Sequence, residues 1–309
     1  MNPKSILAAV AIATTLFALP SHAQEAPMES TVDPIQLIEN FPAPDEDGTV
    51  NVNGLEMYYQ VHGEGEPLVL IHGGLMTIEA WGPFLSALAE TRKVYAIELE
   101  GHGRTVDLDR PLSIRQFADD VGGFIDAMDI GPVDIVGYSM GGGTATGVAI
   151  LHPDQVKSIV VISAAYQSDS IWDSVRAGWP YMTAEMMEGT PMKVAYDAVA
   201  PQPERFAGFI DKIRESMTVE GDVWTEDEIA AITAPVLMMI GDHDLIQLDK
   251  ALEMYRLLGG QASTGPMGPD LNPDRQFSVI PAATHYDIYF KTDLVMPVIT
   301  AFLDAQSGL

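Results

Sequence analysis

The chain alternates short apolar runs with stretches of helical apolar spacing, and this rhythm constrains its fold more than any other feature. Leu68–Ile71, Lys93–Leu99, Val133–Val136 and Lys157–Ile162 read as strands, separated by helical patterns over Trp81–Thr91, Ile114–Met128 and Gly141–His152. After a break at about Ala164 the rhythm resumes with Pro235–Ile240, a helix over Leu248–Leu258, a strand over Gln276–Ile280 and a final helix over Val295–Leu303. Continuous apolar runs of this length are strands buried on both faces, so the pattern predicts an α/β fold: a mostly parallel sheet with helices on both sides. Ahead of it, Gly48–Val61 predicts two strands turning at Asn53-Gly54, because Asn-Gly supplies the positive φ angles of a tight hairpin. With 309 residues, 47% of them hydrophobic, the chain can bury one sizeable core carrying an inserted subdomain.

The break defines that insertion. Residues 164–234 are mostly helical in pattern and hold Trp172, Trp179, Met182, Met186, Met187, Met192, Met217 and Trp224. They read as a helical lid on a core made of residues 48–163 and 235–309. Aromatic and Met side chains fill irregular apolar space and adapt to ligands, so Trp172, Trp179, Met182 and Met186, with Leu75, are the expected substrate-binding residues. Most such side chains in any lid serve simply as its own core. Gly259–Asp274 is a long Gly/Pro loop, of a length that is usually functional or disordered. Gln24–Asp47, rich in Pro, Glu and Asp, reads as an N-terminal arm.

Residues 1–23 have the marks of a cleavable secretory signal: Lys4, an apolar stretch from Ile6 to Leu19, and small residues up to Ala23. They predict a periplasmic or secreted protein with no membrane span after cleavage. The chain contains no cysteine, which excludes disulfides and thiol catalysis. The net charge of −28, from 44 acidic and 16 basic residues, makes nucleic acid and anionic membranes poor partners.

The chemistry centres on GYSMGGG at 137–143. Glycine is expensive in regular structure, so four glycines around Ser139 point to a backbone held where most residues cannot go. A serine on a sharp turn from strand to helix projects its hydroxyl outward, with Gly137 and Gly141 leaving room for crossing backbones and Gly142 and Gly143 for close helix packing. The helix start directs free N–H groups toward the same space. A serine hydroxyl needs a neighbouring base, and His285 follows the last predicted strand on the same sheet edge. An acid must orient that imidazole. Asp244, in GDHD at 241–244, follows a strand on that edge too; Asp242 is its rival, and Asp169 or Asp173 weaker ones. The order Ser139, Asp244, His285 is that of one hydrolase type. Backbone N–H groups of Gly74, in HGGL at 72–75, and of Met140 are the expected oxyanion donors.

With these residues in view, the sequence resembles the α/β-hydrolase superfamily, in its cap-bearing esterase and non-haem haloperoxidase-like branch. The resemblance rests on HGGLMTIEAW at 72–81, ELEGHGRT at 98–105, GYSMGGG, GDHD and the ATH ending at His285, and spans about residues 50–305. It implies Ser139 as nucleophile, His285 as base and Asp244 as acid, with no cofactor. Leu75 in place of a third glycine separates the chain from HGGG-type lipases, and a serine nucleophile separates it from epoxide hydrolases and dehalogenases that use aspartate. Among the other histidines, His72 and His102 are expected to orient loops. His243 lacks the partners of a metal site, and His62 and His152 are expected at the surface or in loops. The expected activity is hydrolysis of small to medium apolar carboxylic esters by a monomer or homodimer. Lactone hydrolysis, carbon–carbon bond hydrolysis and perhydrolysis use the same triad, and a ligand receptor on a hydrolase fold is the alternative outside catalysis.

Overall fold

A computed structural model describes residues 38–218, 224–261 and 272–307. The predicted signal, most of the arm and the middle of the Gly/Pro loop lie outside the described residues.

Among the described residues, eight strands form one sheet in the order β1-β2-β4-β3-β5-β6-β7-β8. They are β1 (Glu46–Val52), β2 (Leu55–His62), β3 (Glu66–Ile71), β4 (Arg92–Ile97), β5 (Val133–Tyr138), β6 (Val156–Ile162), β7 (Val236–His243) and β8 (Arg275–Thr284). β1 and β2 make the predicted hairpin, and Asn53 and Gly54 at its tip both have positive φ. β2 joins β4 antiparallel, and every pairing from β4 to β8 is parallel. The arm is shorter than expected, since Glu46 and Asp47 belong to β1 and the Asp45 N–H donates to the Val61 carbonyl.

The apolar runs alternate faces. Val69, Ile71, Ile135, Ile159 and Val161 enter one core layer, while Leu68, Leu70, Val136, Val160 and Ile162 enter the other. Helices Ile114–Met128, Met140–Leu151 and Leu248–Leu257 cover the first layer, and Pro83–Ala89 and Thr292–Ser307 the second. Local signals set the ends of the Ile114–Met128 helix: the Ser113 hydroxyl accepts from the Gln116 N–H, and Asp129 ends the helix in the left-handed region.

The chain runs from β3 outward to β4 and then returns to β5 on the other side of β3. The direction of winding therefore reverses between β3 and β5. In parallel sheets the crevice beyond the carboxyl ends at such a point is the natural binding site. Here it lies between His72-Gly73-Gly74 and Ser139.

Between β6 and β7 the described residues are helical, with helices at Asp173–Arg176, Ala184–Met187, Pro191–Val199, Phe206–Thr218 and Glu226–Ala230. This segment is zipped to the loop after β7 by an Ile171–Ile246 bridge and a Trp172 N–H to Leu245 carbonyl bond. Its other anchor is on the loop after β4, where Arg205 and Lys212 pair with Asp107. Trp224, in the same segment, packs against the core. It is buried against the Met140–Leu151 helix, so closely that a methyl at Gly147 would come within 2.5 Å of its ring.

Candidate active site

Ser139 links β5 to the Met140–Leu151 helix with φ 53° and ψ −117°, a conformation that L-residues avoid. It is held there by its N–H donating to the Ile162 carbonyl at 2.8 Å and its carbonyl accepting from the Gly143 N–H at 3.0 Å. The glycines explain how the turn fits. A Cβ at Gly137 would lie 2.1 Å from the Gly141 carbonyl oxygen, and one at Gly141 would lie 2.2 Å from that of Ile71. Gly142 is similarly tight against Ala164, at 2.8 Å, but Gly143 would make only an ordinary 3.7 Å contact with Ile114 and is not required for packing.

The structure brings Ser139, His285 and Asp244 together. His285 Nε2 lies 3.0 Å from Ser139 Oγ, and His285 Nδ1 lies 2.8 Å from Asp244 Oδ1. A carboxylate can only accept, so Nδ1 carries the proton toward Asp244 and Nε2 presents its lone pair to the serine hydroxyl. Ser139 is half-buried, while His285 and Asp244 are buried. Burial pushes the Asp244 carboxyl up, but hydrogen bonds and charge attraction from His285, then bonds from Ser163 and the Ile246 N–H, hold it below the usual range.

The rival acids point elsewhere. Asp242 accepts from the Ala283 N–H at 3.1 Å and serves the irregularity where β7 meets β8. Asp169 pairs with Lys250 and Asp173 with Arg176. His243 is exposed, and no group of three potential metal ligands occurs among the described residues.

The loop after β3 is set by two fixed contacts. His72 is fully buried, with Nδ1 2.7 Å from the Gly73 carbonyl and Nε2 accepting from the Leu99 N–H at 3.1 Å. Burial pushes its pKa down to about 4, so it ties two loops together as a neutral ring. Gly73 has no room for a side chain, because a Cβ would lie 2.8 Å from the Tyr138 ring. Leu75 follows with φ 63° and is buried. Gly74 adjoins Met140, whose Sδ would be 3.7 Å from a Gly74 Cβ. The two expected oxyanion segments are therefore neighbours, and the first N–H groups of the Met140–Leu151 helix have no intrahelical acceptors.

Of the residues expected to contact substrate, Leu75 and Trp172 adjoin the triad loops. Trp172 Nε1 donates to the Asp244 carbonyl at 3.3 Å while its ring is half-exposed. No hydrogen bond or ring contact links Trp179, Met182 or Met186 to the triad among the described residues. Met182 packs on the main core and Met186 is 65% exposed. His62 is not a surface residue, since it is buried, bonded to Gln60 Oε1 and packed edge-on against Phe41. His152 is partly exposed and pairs with Asp119.

Two contributors escaped the sequence reading. Tyr138, the residue before Ser139, donates from its hydroxyl to the His285 carbonyl at 2.5 Å. Ser163, at the end of β6, donates to Asp244 Oδ2 at 2.6 Å. A tyrosine ending a strand and a serine just past one carry no pattern that would have marked them.

A family model described as alpha/beta hydrolase fold matches residues 66–195. The chain is 37% identical over 124 residues to the 2-hydroxy-6-oxo-6-(2'-aminophenyl)hexa-2,4-dienoic acid hydrolase of Metapseudomonas resinovorans, covering 38% of this chain and 41% of that one. It is 25% identical over 227 residues to the pimeloyl-[acyl-carrier protein] methyl ester esterase of Aliivibrio salmonicida, covering 64% and 82%. Among solved structures, a serine hydrolase involved in carbazole degradation superposes with a TM-score of 0.64 at 25% identity, over 84% of this chain and 99% of that one. The chain spans less than half the length of the first curated relatives it matches.

Proposed function

We propose, for a chain that belongs to the α/β-hydrolase superfamily, that it hydrolyses carboxylic esters of small to medium apolar substrates through Ser139, His285 and Asp244. The hydrogen-bonded line from Ser139 Oγ through His285 to Asp244 Oδ1 carries this reading. Ser139 Oγ attacks the ester carbonyl as His285 Nε2 takes its proton. Asp244 stabilises the resulting imidazolium. The oxyanion forms beside the Gly74 and Met140 N–H groups, where charge develops in the transition state. The imidazolium then protonates the departing alcohol, and water activated by the same histidine releases the acid from Ser139. Gly74 next to Met140 supports the oxyanion site, and the half-exposed Trp172 ring at the acid loop supports an apolar contact for the substrate. The apolar signal-like residues 1–23 support export to the periplasm or medium.

A second reading has a specific support. The hexadienoic acid hydrolase acts, by its name, on a dienoic acid bearing hydroxy and oxo groups, and it shares 37% identity over the matched part. Carbon–carbon bond hydrolysis of such a vinylogous diketone would use the same three residues.

The test is turnover of p-nitrophenyl esters from acetate to decanoate by wild type and Ser139→Ala. Wild type is expected to turn over short and medium chains, and the variant to lose on the order of 10⁴–10⁶ in rate. Equal, background rates for both proteins would sink the ester reading. Turnover confined to a dienoic diketone substrate would favour the second.

A further inference from the structure

We infer that Ser163 is a positioning residue of the triad, which fixes the Asp244 carboxylate for His285. The inference rests on the catalytic reading of Ser139, His285 and Asp244.

Three observations converge on Ser163. It is 1% exposed, and its hydroxyl lies 2.6 Å from Asp244 Oδ2, while His285 and the Ile246 N–H bond Oδ1. Its backbone is locked, with its N–H donating to the Met239 carbonyl at 2.8 Å in continuation of the β6–β7 ladder. And it has φ 52°, in the left-handed region that glycine occupies without strain and serine does not. Backbone strain concentrates where function over-determines a conformation. At this sheet edge the non-glycine residues with positive φ include Leu75 after β3, Ser139 after β5 and Ser163 after β6.

Glycine at 163 would satisfy the backbone but remove the close donor to Asp244 Oδ2, at 2.6 Å, and leave that oxygen only the Gly241 N–H at 3.4 Å. Asp244 has a fully buried side chain, and a buried acceptor that loses its close donor is costly. With Ser163 on Oδ2, the carboxylate cannot rotate to offer that oxygen to His285. The imidazole therefore meets the same oxygen, at the same angle, in every turnover. The other titratable groups that couple electrostatically to Asp244 are Tyr138 and Tyr286, on the elements carrying Ser139 and His285. Neither of them donates to Asp244 Oδ2.

The test compares wild type, Ser163→Ala and Ser163→Gly in the full mature chain. The first readout is the second-order rate at which a fluorophosphonate labels Ser139, followed by mass as a function of pH. The others are kcat and KM on a p-nitrophenyl ester, and Tm. Both variants are expected to lose roughly 10–100-fold in labelling rate and kcat, the size of one hydrogen bond to a charged group, with KM unchanged. Losing the donor leaves Asp244 a stronger base, which favours the charged imidazole, so the acid limb of the labelling profile should move to higher pH. Ser163→Gly should have a Tm at or above that of Ser163→Ala, because it relieves the positive φ, and yet remain as slow. That separates a positioning role from a merely structural one. Wild-type labelling rates and an unmoved acid limb in Ser163→Gly would overturn the inference, as would failure of the wild type itself to label. A wild type that labels quickly but turns over no ester would overturn the ester reading and leave the labelling comparison to decide Ser163.

Discussion

Among the fully buried acidic side chains, Asp244 in the loop after β7 and Glu98 just past β4 have surroundings that drive them in opposite directions. Burial alone pushes both carboxyls up. At Asp244 the donors prevail: His285, Ser163 and the Ile246 N–H converge on its two oxygens, and the carboxyl is held below its usual range. At Glu98 burial prevails. Arg104 pairs with it at 2.9 Å, but the same Arg104 also pairs with Glu79, whose negative charge opposes ionisation of Glu98. The Glu98 carboxyl is pushed up to about 7. Depth therefore does not decide whether a buried acid stays charged. Both carboxylates accept several hydrogen bonds, and the second carboxylate that shares the Arg104 cation at Glu98 is what sets them apart. The first arrangement suits an acid that must remain an anion beside an imidazolium. The second suits a structural clasp joining the loops after β3 and β4.

Removing the charge at Asp244 should give the largest effect. Asp244→Asn keeps the shape but offers His285 an amide, which no longer selects the tautomer with its lone pair toward Ser139. A loss of about 10⁴ in kcat is expected, with the circular dichroism of the folded protein retained. A loss under tenfold would break the comparison, because Asp244 would then be one more structural acid like Glu98.

The clasp should answer in stability instead. Arg104→Met strands two carboxylates without their shared cation, and breaking a buried pair from one side costs about 3–5 kcal/mol. The lower end is expected, because Arg104 is 23% exposed. Urea unfolding at pH 7.5 measures it. At pH 5 the loss should shrink, since Glu98 then carries a proton and needs the cation less. An equal loss at both pH values would show that Arg104 acts through packing on Tyr58, 4.7 Å from its ring centroid.

How much of this was legible depended on whether chemistry or packing wrote the signal. Gly137 and Gly141 are forced by backbone atoms a little over 2 Å from where a Cβ would stand, so the turn at Ser139 could be read from residue type alone. The parallel strands were equally plain, because both of their faces are buried. The choice between Asp242 and Asp244 was not fixed by spacing. It depends on the irregularity between Gly241 and His243, which turns Asp242 toward the Ala283 amide. The segment between β6 and β7 was legible only as helix. Most of its helices are short, and nothing in their pattern says that Trp224 would sink against Gly147 while Met186 stays in solvent. His62 misled for the same reason: it packs edge-on against Phe41, a contact that sequence proximity does not show.

The smallest effect sharpens the comparison most, because it tests the sign of each environment rather than its strength. For Glu98 the folded pKa of about 7 stands above the ordinary 4.5. Between those values the unfolded chain has released the proton and the native chain keeps it, so stability falls as pH rises through this window and levels off above it. For Asp244 the folded pKa lies below the ordinary 3.8, so its contribution is present above that value and is lost as pH falls through the folded one. Glu98→Gln cannot ionise. Measured by urea unfolding, its stability relative to wild type should improve from pH 4.5 to pH 7 and stay constant from pH 7 to pH 8.5. Asp244→Asn should show no such gain there, and should instead flatten the decline below pH 4. A Glu98→Gln difference that is constant from pH 4.5 to 8.5 would mean that Glu98 is ionised throughout. Arg104 would then serve it as fully as His285 and Ser163 serve Asp244, and the contrast between the two loops would disappear.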